Sequence, residues 1–305
     1  MIKMEAVKSV TTGMGYTNRN LIGWLTLIVA VSIWALFALS IRMISKSNVS
    51  SFDVALIRFS IPTLLLLPFV KSRIKKIVSA PISGLILTTV GGGLPFFLVA
   101  ALGGHYAPAS YVGSLIAGTT PISASIVSYF LFRKKISFNK CLGLGVILAG
   151  VFVLVFSFGT ITVTALTGIA ILLCASLFWG SYSVGINKLN LDPLSCVIIV
   201  TYPSIIILAF LFSTGLVETK IFEYSVNELI PFIVIQGIGV GFFSTLFYSQ
   251  AVRNLGVLTC ATVGSLAPVI ATFLAIPMLN EVPTYLTIFG VLVISFGVVL
   301  SNKIK

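Results

Sequence analysis

A pattern spanning residues 111–150 returns 147 positions further along the chain, and this duplication constrains the fold more than any single motif. Pro121 answers to Pro268, Ala124 to Ala271, Gly143 to Gly290 and Gly150 to Gly297. Each copy reads as an apolar helix with a proline near its middle, a short polar break, then a glycine-marked apolar helix. The first break is basic (Arg133, Lys134, Lys135, Lys140); the second carries Glu281 and no base. Cytoplasmic loops of membrane proteins collect lysine and arginine. The change of sign therefore places the two breaks on opposite sides of a membrane, and the halves are expected to be inverted relative to each other.

Lipid is the solvent this chain requires. Hydrophobic residues make up 58% and charged residues 9%, against about 25% charged in soluble domains, and the mean hydropathy is +1.14. The start, MIKMEAVKSVTTGMGYTNRN, lacks the apolar run and small-residue cleavage site of a signal peptide, so residues 1–19 are expected to form a cytoplasmic tail. The net charge of +12 sits in short loops and tails rather than on a folded basic face. It reads as an orientation signal, with lipid as the partner and no nucleic acid. Cys141, Cys174, Cys196 and Cys260 lie singly within or beside apolar runs, a spacing that suggests neither a disulfide framework nor a metal site. They read as reduced, small apolar residues, and no cofactor is implied.

A membrane helix needs about 20 apolar residues, which gives ten: 20–42, 52–70, 80–102, 108–132, 139–157, 166–187, 195–214, 229–252, 257–279 and 284–301. With the N-terminus inside, fifteen lysines and arginines fall in inner segments and three (Arg42, Lys46, Lys220) in outer loops. Both termini are thus expected in the cytoplasm of a multi-pass cell-membrane protein. Ten helices with both ends inside means five per half, 20–157 and 166–302, and an odd number forces the second half to enter from the opposite face. Trp34 and Phe37 in helix 1 match Trp179 and Tyr182 in helix 6 at offset 145, and helices 2 and 7 align loosely at offset 143.

Inverted-repeat transporters bind substrate near the bilayer midplane, where helices are broken or rich in glycine. Helices 4 and 9 carry Pro121 and Pro268 there, helix 3 Gly91 to Gly93, and helix 8 Gly237, Gly239 and Gly241, while Trp34 and Trp179 lie at similar depth. Each proline frees a carbonyl four residues earlier, at Ala117 and Gly264, which must face protein or a wet cavity. The candidate substrate-binding set is Trp34, Gly92, Ser114, Thr119, Trp179, Tyr182, Gly239, Ser244 and Ser265, with Pro121 and Pro268 as hinges. Thr88, Thr89, Thr120, Ser123, Thr245 and Thr262 are further hydroxyls at this level. The competing reading is structural: glycines allow close helix packing, and a hydroxyl often bonds its own helix backbone.

Few charges lie inside helices. Arg58 sits about 9 Å from the outer end of helix 2 at ~1.5 Å per residue, where it is expected to snorkel outward or pair with Asp53 or Glu281. His105 is placed at the outer mouth. No carboxylate occupies the middle of a helix, which counts against a buried proton-exchanging acid. Enzyme chemistry would need an activated nucleophile, a metal cluster or paired acids; with one histidine, the chain does not read as an enzyme. A channel could use the same glycine-lined interior.

Several stretches carry a resemblance: SIWALFALSIR in helix 1, ALIRF in helix 2, LIAGTTPISASIVSYFLF in helix 4, ASLFWGSYSVGINK in helix 6, and YSQAVRNLGVLTCATVGSLAPVIATFLAIPMLNEVPT across helices 8 and 9. Together they resemble the EamA-type branch of the drug/metabolite transporter superfamily, over residues 20–302. Lys134 departs from the pattern, standing where that family often has glutamate. The resemblance implies an all-α exporter of amino acids, related metabolites or drugs, working by alternating access with helices 1, 3, 4, 6, 8 and 9 around the pocket. By size and helix count it is similar to the YddG-like amino acid exporters. Other branches carry nucleotide-sugars, and an organic cation is a further alternative. The proposed cavity holds no lysine or arginine beyond distant Arg58, which counts against a doubly charged phosphate. A monomer or homodimer is expected.

Overall fold

The structure is a computed structural model that describes residues 2–133, 137–157, 162–255 and 257–303. Its elements follow the expected order. They are α1 (Ile2–Lys46), α2 (Ser51–Val78), α3 (Ile82–Gly92 continuing as Leu94–Tyr106) and α4 (Ala109–Gly113, Ser114–Gly118 and Thr120–Phe132), then α5 (Phe138–Phe156). The second half has α6 (Val163–Leu189), α7 (Pro193–Ser213), α8 (Val226–Phe232, Ile233–Phe243 and Ser244–Leu255), α9 (Val257–Gly264 and Ala267–Leu279) and α10 (Tyr285–Lys303). Among the described residues eight helices are long and apolar enough to cross a membrane. The two shorter ones are α5, whose 19 residues still rise about 28 Å, and α9, which reaches length as two stacked pieces.

Helices outrun the apolar spans that announce them. α1 begins at Ile2 and α2 runs on to Val78. Lys71, Arg73, Lys75 and Lys76, read from sequence as a loop, continue α2 as helix. Hydropathy marks where lipid ends, whereas lysine and arginine remain good helix formers in water. Side-chain caps then set the starts: Ser50 for α2, Ser137 for α5, Thr162 for α6, Asp192 for α7 and Ser225 for α8 each accept a backbone N–H of the first turn.

Exchanging the two halves keeps the principal helix pairings. α1 packs on the last part of α8 and on α9, while α6 packs on the first part of α3 and on α4; α2 meets α7, and α5 meets α10. The α5/α10 seam shows the relation residue by residue. A Cβ on Gly143 would strike the Ser301 backbone, one on Gly297 would lie 3.1 Å from the Gly143 carbonyl, and one on Gly150 would lie 3.0 Å from the Gly290 carbonyl. Gly143 thus faces Gly297 and Gly150 faces Gly290, so α5 and α10 run antiparallel, and the 147-residue offset maps one contact onto the other.

The same offset governs the ends of α4 and α9. Arg133 (φ 53°) and Asn280 (φ 55°) both close their helices in left-handed geometry, and their amides donate to the carbonyls of Ser128 and Tyr129, and of Ala275 and Ile276. Asparagine tolerates this region; arginine does not. Arg133→Asn is therefore expected to raise stability by about 1 kcal/mol, read as a higher thermal unfolding midpoint in detergent, and Asn280→Arg to lower it. Lys134 and Lys135, central to the sign-change argument, lie outside the described residues.

Candidate functional site

Four helices are interrupted at one level. In α4, Ser114–Gly118 widens into a π-turn, and Pro121 enters the first turn of Thr120–Phe132, where its missing N–H costs nothing. The Thr119 and Thr120 hydroxyls cap the carbonyls of Leu115 and Ile116, and the Ala117 carbonyl, expected to be free, accepts the Thr119 amide. Pro268 repeats the arrangement at the start of Ala267–Leu279, just after buried Ser265. α3 breaks at Gly93, where Ser204 of α7 accepts the Leu94 amide at 3.0 Å. α8 carries the π-helical stretch Ile233–Phe243 through Gly237, Gly239 and Gly241; Gly239 backs onto Ile33 of α1 and the Val234 carbonyl.

A row of aromatic rings crosses the seam between the halves. Phe37 stacks with Phe96 at 6.0 Å, Phe96 meets Trp179 at 5.2 Å, and Trp179 stacks on Tyr182 at 4.8 Å. Gly92 lies beneath the Tyr182 ring, where a Cβ would sit 2.7 Å from it. Trp34 belongs to a second cluster, 4.8 Å from Tyr248, with its ring edge 3.2 Å from where a Cβ on Gly264 would sit. The structure therefore unites Gly92, Trp179 and Tyr182 directly and sets Trp34 apart, against α8 and α9.

The hydroxyls divide likewise. Ser244 bonds the Val240 carbonyl of its own helix, whereas Thr119 and Ser123 both hydrogen-bond Ser176, at 2.7 and 2.8 Å, tying α4 to α6. Ser114 and Thr88 are fully buried, with no hydrogen-bond partner among the described residues. The Thr262 side chain lies outside the description.

Arg58 departs from its expected place. It neither snorkels nor pairs with Asp53 or Glu281. It is 5% exposed and hydrogen-bonds the Gln236 side-chain oxygen, with Phe37, Phe59 and Phe97 around it at 5.4, 5.6 and 5.4 Å. Both carboxylates are already engaged. Asp53 takes Ser50, Thr219 and Tyr224, while Glu281 takes Arg42 and Lys46. Phe37 is itself the first ring of the aromatic row, so Arg58 is not distant from the seam.

A model of the EamA-like transporter family matches residues 21–156 and again 166–303. The chain belongs to this family. It is a multi-pass membrane transporter that acts on small-molecule substrates. Each match covers one half of the duplication, α1–α5 and α6–α10. One solved crystal structure shares the fold, with a TM-score of 0.62 at 19% sequence identity over 93% of this chain and 96% of its own. No curated protein matches.

In this EamA-like transporter the candidate-site residues that sequence reasoning missed are Gln236, Ser40, Phe96 and Ser176. Gln236 offered a signal, being a polar amide inside an apolar span at the head of a glycine run; Phe96 and Ser176 offered none, since phenylalanine and serine are ordinary in membrane helices. One end of the transporter is tied by ions. Glu281 accepts Arg42 Nε at 2.6 Å, Lys46 Nζ at 3.1 Å and the Ala109 amide at 2.9 Å. Burial pushes the Glu281 carboxyl up, but the bonds from Arg42, the Ala109 amide and Lys46 outweigh it and hold the group below the usual glutamate range. At the opposite end Lys188 lies over the Phe132 ring, at 4.2 Å, and Arg73 pairs with Asp192 at 3.0 Å.

Proposed function

We propose that this transporter exports amino acids or related small metabolites across the cell membrane by alternating access. In this reading the two halves are inverted, both termini are cytoplasmic, and the Glu281 end faces outward. The antiparallel α5/α10 seam supports inversion, because helices equated by the repeat run in opposite directions. The gathering of Arg42, Lys46 and Glu281 at one end and of Arg73, Asp192 and Lys188 at the other agrees with the charge sorting along the sequence.

The observation that carries the reading is the ring row Phe37–Phe96–Trp179–Tyr182. It draws on α1, α3 and α6, three of the six helices expected around the pocket. Stacked rings beside hydroxyls suit a solute with an apolar body and a polar head. Purified protein in proteoliposomes should show saturable efflux of such solutes that unlabelled solute on the far side accelerates; flux without that trans-stimulation means a channel. Trp179→Ala should lower efflux about 10-fold or more, as expected for losing a stacking contact of ~1.5 kcal/mol, with insertion intact, and Trp34→Ala less. Wild-type flux in both variants removes the rings from the pocket.

A further inference from the structure

We propose that Arg58 is an anion-binding residue that receives the single carboxylate of the transported solute. The inference rests on the transporter reading above and adds to it the charge of the ligand and the group that recognises it.

A guanidinium taken out of water needs an opposite charge or a full set of hydrogen-bond acceptors. Arg58 is 5% exposed, and among the described residues it makes one hydrogen bond, to Gln236, while its Nε has no partner. None of the ion pairs includes it. Three phenylalanine rings give it some cation–π attraction, but rings do not accept hydrogen bonds as carboxylates do. The Gln236 amide is held by donating its own N–H to Ser40 at 2.7 Å, so its oxygen is fixed toward Arg58. The result is an oriented guanidinium with spare donors, 5.4 Å from Phe37 at one end of the ring row.

The other half of the chain supplies an internal control. Offset 145 equates Ser40 with Gly185, and offset 147 equates Gln236 with Thr89. At the register of Arg58, α7 carries Val200 counted from its cap, or Thr201 at offset 143. The corresponding helix crossing is closed there with no charge at all: Gly185 lies against Thr88, and the Thr89 hydroxyl donates to the Ile199 carbonyl. The architecture therefore does not need a cation at this crossing. One half has it, and a ligand group accounts for the difference. A planar guanidinium with donors left over matches a carboxylate, which it can hold with two parallel bonds. With one such cation and no lysine near it, the site suits one negative charge rather than two.

The guanidinium is closed off by Phe37, Phe59 and Phe97, so a carboxylate reaches it when α1 and α3 move apart during the transport cycle. Phe37 then stands between the bound carboxylate and the other three rings of the row.

The test uses the purified full-length transporter and two readouts, thermal stabilisation in detergent and flux in proteoliposomes. L-phenylalanine, phenylacetate and phenethylamine are the probes, alike in the ring and differing in charge. The two carboxylates should stabilise the wild type and phenethylamine should not. Arg58→Gln should weaken carboxylate binding roughly 10- to 100-fold, as expected for losing a charge-assisted hydrogen-bonded pair. Because a variant at a buried position can fail to fold, Gln236→Glu gives an independent arm. It places a carboxylate beside Arg58, so the protein should keep or raise its unfolding midpoint while losing carboxylate binding. Carboxylate binding unchanged in Gln236→Glu, or a wild type stabilised by none of the carboxylates, overturns the assignment. Saturable, trans-stimulated flux of phenethylamine alone would overturn it while leaving the transporter reading standing. Stabilisation by carboxylates without any flux would do the reverse.

Discussion

Gly91→Val is expected to leave almost no correctly folded protein in the membrane. A Cβ at Gly91 would lie 2.9 Å from the Tyr182 Cα and closer still to the Phe178 carbonyl and the Tyr182 amide, all backbone atoms of α6. A flexible side chain could give way; a helix backbone moves only as a unit. Accommodating valine means separating α3 from α6, which also removes Gly92 from beneath the Tyr182 ring and Gly185 from Thr88. Overpacking a core costs about 1–3 kcal/mol, and a wedge between two backbones belongs at or above the top of that range. Gly91→Ala should show the same defect in milder form. Size-exclusion chromatography and thermal unfolding of detergent extracts read the result; a monodisperse Gly91→Val protein with the wild-type midpoint would show that the helices do not cross as closely as described.

Glu281→Gln should produce the second large loss, about 2 kcal/mol for charge-assisted bonds at a half-buried site. The glutamine can still accept the Ala109 amide, while Arg42 keeps the Gly104 carbonyl and Lys46 the Leu279 carbonyl. What disappears is the negative charge joining α1 to the turn after α9. Because the folded protein holds the Glu281 carboxyl below its ordinary value, the contribution is complete above the unfolded glutamate range near pH ~4.3. It is lost as the pH falls through the lower folded value. The unfolding midpoints of wild type and Glu281→Gln should therefore differ at neutral pH and converge in acid. A gap that persists unchanged into acid would mean that the charge is not what holds this end together.

These predictions divide between what could and could not be read from the chain. Glu281 was marked by the repeat, because a lone acid stood where the other half has bases. Its partners were not, since Arg42 and Lys46 lie more than two hundred residues away and in sequence looked like ordinary loop bases. Gly91 was legible as one of three glycines at mid-depth, but the sequence admitted both a cavity wall and a helix contact. The packing decides for contact at Gly91, and it puts Gly92 against a ring that belongs to the candidate site. For the hydroxyls, self-bonding is right for Ser244 and Thr120, and incomplete for Thr119, whose second bond crosses to Ser176.

By itself the sequence determined the ten-helix, five-plus-five plan, because lipid admits only helices whose backbone bonds are satisfied internally and the 147-residue offset repeats that plan without a partner to consult. The breaks at Pro121 and Pro268 are local properties, so they too were legible from the start. Where each side chain points was not. Arg58 turns inward to Gln236, a residue 178 positions away, and hydropathy carries no information about that azimuth. Only the crossing of α1, α2, α3 and α8 brings a cation, an amide and three rings to one point, because the direction of a side chain from its helix has meaning only once the neighbouring helices are in place.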